Sequence, residues 1–160
     1  MPILHFQAIA GQAKTPNGRT VNLPPNIALA ARGPVVQVSV SIGQDAGKAL
    51  ASQGKPLPAS QSGLALVDTG ASNSCIDDEI AKKLGLPVID VGFMISASHE
   101  KVPCNIYPIL IATPVVNFNL PRAMGAALSG HRLVAIIGRD ILQDCTFFYN
   151  GAAGEFTLAM

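Results

Sequence analysis

Val36, Val38, Val40 and Ile42 alternate with Gln37, Ser39 and Ser41. A period of two is that of a strand with one buried face. Residues 2–12 also read as a strand. The run Leu64-Ala65-Leu66-Val67 has no polar interruption, so it predicts a wholly buried strand, and it stops on Asp68-Thr69-Gly70-Ala71-Ser72. Gly70 suits a turn there, since a left-handed φ costs glycine nothing. Residues 88–98 and 102–113 predict two extended segments joined through Ala97-Ser98-His99-Glu100-Lys101. A strand fragment around 115–120 is followed by a loop or short helical piece. Arg132, Leu133 and Val134 then lead into a core strand at Ala135-Ile136-Ile137. Residues 145–150 and 154–160 predict a hairpin turned at Asn150-Gly151-Ala152-Ala153-Gly154.

Helix signals are few. Asp77, Asp78 and Glu79 open a short segment that closes on Lys82, Lys83 and Gly85. Acids at the start, bases at the end and a terminal glycine mark a helix, with the three acids as cap and dipole residues. Residues 14–33 hold Pro16, Asn17-Gly18, Pro24-Pro25 and Gly33 and predict turns and irregular chain. Residues 43–62, rich in Gly, Pro, Ser and Gln, predict a loop.

The chain of 160 residues suits one domain with a sizeable core. Charged residues are 13% and apolar ones 49%, against roughly 25% charged in an ordinary domain. So little surface charge suits a subunit that covers area against a partner. A net charge of +1 without a basic run, and 5% aromatics without Trp, argue against nucleic acid as a partner. No apolar run approaches the length of a membrane span and no secretory signal is visible, so no membrane partner is expected and the cytoplasm is the expected compartment. Cys75, Cys104 and Cys145 form no C-x-x-C pair, which argues against a disulfide framework or a zinc site. Cys75 and Cys145 are expected to be small buried fillers. His5, His99 and His131 have no ligand spacing, so no metal and no cofactor are expected, and no G-x-S-x-G marks a serine hydrolase.

Asp68 is therefore the candidate. A carboxylate delivered to the end of a core strand costs several kcal/mol unless partners or a function hold it. Ala65 to Ser72, ALVDTGAS, resembles the catalytic segment of the aspartic peptidases. Ala135 to Leu142, AIIGRDIL, resembles the glycine-closed strand and short helix of the retroviral-type enzymes, the retropepsins. Seventy residues separate Asp68 from Gly138, room for a helix, a hairpin and two strands. An Asp-x-Gly phosphate loop of the actin-like ATPases is the alternative for the first segment. Those enzymes need two large lobes, which 160 residues do not hold.

The resemblance to the retropepsins implies an all-β, retropepsin-like acid-protease half-barrel with one or two short helices. It covers residues 34–160, leaving 1–33 as an N-terminal strand and irregular segment. It implies an aspartic endopeptidase acting on extended polypeptide, with Asp68 as the catalytic carboxylate. Two carboxylates are needed, one to activate water and one to hold a proton, and two so close cannot both ionise. One Asp-Thr-Gly per chain thus implies a homodimer with a shared site. By the same resemblance the Thr69 hydroxyl bonds across the two-fold axis, the Gly70 N–H supports the carboxylate, and Gly138 leaves room for the aspartate loop. Ala71 and Ser72 meet substrate main chain. Met94, Ile95, Ser96, Ala97 and Ser98 belong to a flap that closes over it, although its tip lacks the usual glycines. Arg139 is expected to pair with Asp140, Asp77 or Asp78, because Ser72 stands where many retroviral enzymes supply an Asp to it. A non-catalytic module that keeps this fold for dimerisation or peptide binding is the other reading.

Overall fold

The computed structural model describes residues 2–8, 11–95 and 101–160. In chain order the strands are β1 (Ile3–Gln7), β2 (Gly11–Lys14), β3 (Thr20–Leu23), β4 (Val35–Ile42), β5 (Gln61–Val67) and β6 (Cys75–Asp77). They continue as β7 (Asp90–Ile95), β8 (Lys101–Ala112), β9 (Asn117–Ala126), β10 (Leu133–Ile137), β11 (Thr146–Asn150) and β12 (Glu155–Ala159). Short helices α1 (Pro25–Arg32), α2 (Gln44–Ser52), α3 (Asp78–Lys83) and α4 (Arg139–Leu142) interrupt them, with a 3-10 turn at Ser129–His131. The chain is mostly β, consistent with the all-β class expected.

Seven strands form the main sheet in the order β4-β5-β10-β6-β9-β8-β7. β4 pairs with β5 through residues 35–40 and with β8 through 39–42, which closes six strands into a ring and leaves β7 outside it. The core fills that ring. Val36, Val38 and Val40 point in as the alternation requires, and meet Ala65, Val67, Ile76, Tyr107, Ile109, Ile111, Ala135 and Ile137. A second sheet, β1-β12-β11, packs Phe6, Phe147 and Phe156 together. β2 and β3 form a separate hairpin.

Four readings are corrected. Residues 14–33 are not irregular throughout, since they hold β3 and α1, whose Pro25 sits at the helix start where its missing N–H costs nothing. Residues 43–62 begin with α2, not a loop, so the helices outnumber the one or two expected. β9 runs through Pro121 to Ala126 instead of ending near 120. Pro108 of β8 and Pro121 lie where the β8–β9 register shifts, between Tyr107 and Ile109, and a bulge is where a ladder tolerates proline. Finally, β5 is buried on one face only. Ala65 and Val67 are core, while Leu64 and Leu66 are half-buried on the outer face.

Candidate active site

β5 and β10 run parallel, with Val67 opposite Ile137 and Leu66 opposite Ile136. The ladder continues one step further, as the Asp68 N–H donates to the Ile137 carbonyl at 2.9 Å. Asp68 is therefore fixed at the sheet's end and half-buried. The Gly70 N–H donates to Asp68 Oδ1 at 2.8 Å, as expected, and the Ala71 N–H to the Asp68 carbonyl at 3.3 Å. The chain turns at Thr69–Gly70, as read from the sequence, but Gly70 does not use the left-handed region. Its use is proximity: a Cβ there would stand 3.0 Å from Asp68 Oδ1.

Among the described residues Arg139 pairs with no carboxylate, Asp140, Asp77 and Asp78 included. Its Nη1 donates to the Thr69 carbonyl at 2.8 Å and the Gly70 carbonyl at 3.0 Å, and its Nη2 to Ser72 Oγ at 2.7 Å. The guanidinium fork suits this, since it delivers several donors in one plane. Ser72 thus supplies the partner that its replacement of an Asp had seemed to remove. Its side is exposed, as is Thr69, whose hydroxyl has no partner among the described residues. The Arg139 N–H closes the loop on the Ala71 carbonyl at 3.0 Å.

Beneath this lies a network that the sequence reading missed. Ser74 is wholly buried. Its N–H donates to both Asp140 oxygens at 3.0 and 2.9 Å, and its hydroxyl donates to Asp140 Oδ1 at 2.6 Å. The same hydroxyl accepts from the Gly138 N–H at 2.9 Å. At Gly138 a Cβ would come within 2.7–3.0 Å of the Asn73–Ser74 backbone, so only glycine fits there. A buried hydroxyl beside a required glycine and a charged acceptor is a recognisable signal once the two segments are known to touch.

The acids after the loop are structural, as expected. Buried Asp77 caps α3 through the Ile80 N–H at 3.1 Å and accepts the Leu128 N–H at 2.8 Å. Asp78 takes Lys82 at 2.7 Å, the Tyr107 hydroxyl at 2.7 Å and Asn105 at 3.1 Å. Burial pushes the Asp78 carboxyl up, but those hydrogen bonds and the Lys82 charge hold it below its ordinary range. Cys75 is buried and Cys145 partly so. Burial first, then the negative charges of Asp140, Cys104 and Asp68, push the Cys75 thiol up to about 12.

An open groove of about 1520 Å³ runs beside the loop. Leu64, Leu66 and Ile136 form an apolar floor, and Gly70, Ala71 and Ser72 of the loop and Phe93, Met94 and Ile95 of β7 line it on either side. Ser96, Ala97 and Ser98 lie outside the described residues. Asp68 and Thr69 border a smaller hollow of about 440 Å³ with Pro34, Phe147 and Tyr149. The Asp68–Ser72 turn therefore faces two spaces at once. Among the described residues no group of three His, Cys, Asp or Glu could hold a metal ion, and no helix is long and apolar enough to cross a membrane.

No protein-family model matches the chain, and no curated protein matches it significantly. Among solved structures, a retropepsin-like aspartic protease from Rickettsia conorii is similar to it. The likeness covers 78% of this chain and 91% of that one, at 14% identity and a TM-score of 0.41.

Proposed function

We propose that the chain is a retropepsin-like aspartic endopeptidase that works as a homodimer, with Asp68 of each copy facing the other across a two-fold axis. The observation that carries this reading is the treatment of one carboxylate. Asp68 is held at the end of a core strand by main-chain bonds, on a turn clamped by Arg139 whose Gly70–Ser72 side lines an apolar groove.

The chemistry follows from that setting. One Asp68 carboxylate takes a proton from water, which attacks the scissile carbonyl, while the other, protonated, donates to the carbonyl oxygen. Collapse of the tetrahedral intermediate breaks the C–N bond and the leaving amine takes a proton from the pair. Gly70 holds one carboxylate oxygen fixed throughout. Thr69, with its hydroxyl otherwise unpaired among the described residues, bonds to the partner's loop and keeps the two carboxylates coplanar. Substrate lies as an extended strand along the groove, its main chain meeting Ala71 and Ser72 and its apolar side chains meeting Leu64, Leu66, Met94 and Ile95.

The test is hydrolysis of an unstructured polypeptide at acidic pH. Cleavage that survives chelators, thiol alkylation and serine acylators, and disappears in Asp68→Asn with the dimer intact, supports the reading. Binding of peptide without cleavage by the wild-type chain would establish the non-catalytic module instead.

A further inference from the structure

Two arginines from distant parts of the chain stand at the apolar floor of the groove. Arg32 ends α1, and Arg132 ends the 3-10 turn before β10. Both are exposed, both line the groove, and neither has an ion pair or side-chain hydrogen bond among the described residues. Topology brings them to the same strand. Val35, three residues after Arg32, pairs with Leu66, and Leu133, next to Arg132, pairs with Leu64. Leu64 and Leu66 share the outer face of β5, so the arginines flank the two leucines that floor the groove.

Arg132 is the one non-glycine residue with positive φ among those described, at 57°. A left-handed backbone is uncommon for any residue that carries a Cβ. The acids bordering the same groove are already engaged, since Asp78 and Glu79 both bond Lys82. The arginines have no acidic partner among the described residues, so the described floor end of the groove carries net positive charge.

Resting on the peptidase reading, we propose that Arg32 and Arg132 are specificity-determining residues that select an acidic side chain in the bound polypeptide. A carboxylate accepts two donors from one guanidinium plane, so the pair favours Asp or Glu over Gln by charge and by geometry. Leu64 precedes Asp68 by four residues, about 13 Å of strand at roughly 3.3 Å each. The acidic residue is therefore held several residues away from the bond that is cut, while the leucines take its apolar neighbours.

The experiment measures binding of matched peptides, bearing Glu or Gln at each position in turn, to the Asp68→Asn chain by fluorescence anisotropy. One position should prefer Glu by roughly fivefold at low salt, and the preference should shrink as salt rises. Arg32→Gln with Arg132→Asn, the latter chosen because Asn tolerates positive φ, should erase the preference and leave the melting temperature unchanged. C-terminally amidated versions keep the preference if a side chain is read and lose it if a chain terminus is. Equal binding of Glu and Gln peptides at every position, a preference that survives both substitutions, or loss on amidation would overturn the proposal. Cleavage of the same peptides by the wild-type chain is scored separately. A Glu preference in binding without any cleavage would sink the peptidase reading and leave the arginine assignment standing.

Discussion

The aspartate loop and the β7–β8 hairpin face each other across one groove, and they are built by opposite means. The loop spends its polar groups inward: Arg139 binds two of its carbonyls, and Ser74 with Asp140 ties its far end to α4. The hairpin is an antiparallel ladder from Asp90 to Ile95 against 101–106, with Phe93 at 54% and Ile95 at 68% exposure. Its outer polar ties are an exposed Arg122–Asp90 pair at 2.6 Å and Lys101 lying 4.3 Å over the Phe93 ring. Exposed pairs of that kind add little, about 0–1 kcal/mol. The contrast is that of a tightly tied loop beside a loosely tied hairpin; under the proposed function the first holds the reacting carboxylate and the second covers the substrate. A carboxylate misplaced by an ångström loses its geometry, whereas a cover needs loosely held apolar surface that substrate can order.

The contrast can be broken from either side. The largest effect on stability is expected for Asp140→Ala, which strands the buried Ser74 N–H and hydroxyl; urea unfolding should show a loss of about 3 kcal/mol. A loss below about 1 kcal/mol would mean the loop does not depend on this network. Arg139→Lys should come next. Lysine has no planar fork for two carbonyls and Ser72, so turnover should fall roughly tenfold or more with a stability change of only about 1 kcal/mol. On the hairpin the balance should reverse. Phe93→Ala should leave the melting temperature unchanged and raise KM by about tenfold with kcat little altered, since an exposed ring supports substrate and not the fold. A drop in melting temperature would make Phe93 a packing residue.

The smallest effect concerns acid. The Asp78 carboxyl sits below its ordinary range when folded, so its contribution is present above the unfolded value and is lost as pH falls through the folded one. Asp78→Asn should therefore lower stability slightly at neutral pH and flatten the acid side of the stability profile. An unchanged acid limb would remove Asp78 from the account.

Most of this contrast was legible in the sequence, but not evenly. Local signals carried the strand end at Asp68, the close approach at Gly138, the α3 caps and the terminal hairpin, because each rests on residues adjacent in the chain. The β5 run misled because an apolar outer face that floors a groove has the same composition as one buried under a second layer. α1 and α2 were hidden by Pro24-Pro25 and by Gly43 and Gly47, which read as breakers although proline suits a helix start and α2 packs little apolar surface. Arg139 was misassigned because charge suggested a carboxylate partner, whereas the carbonyls it binds leave no trace in sequence. Ser74 was invisible for the same reason. Its meaning depends on Asp140, sixty-six residues away.

The central claim is that Asp68 acts only as one half of a pair. Two copies joined in one polypeptide, one wild-type and one Asp68→Asn, measure this directly by kcat/KM on a single peptide at acidic pH. The account predicts a loss of several orders of magnitude relative to the wild-type tandem, with the assembled state retained, because each carboxylate is useless without the other. A tandem that keeps about half the activity would show that each copy carries a complete site, and the shared-aspartate account would be wrong.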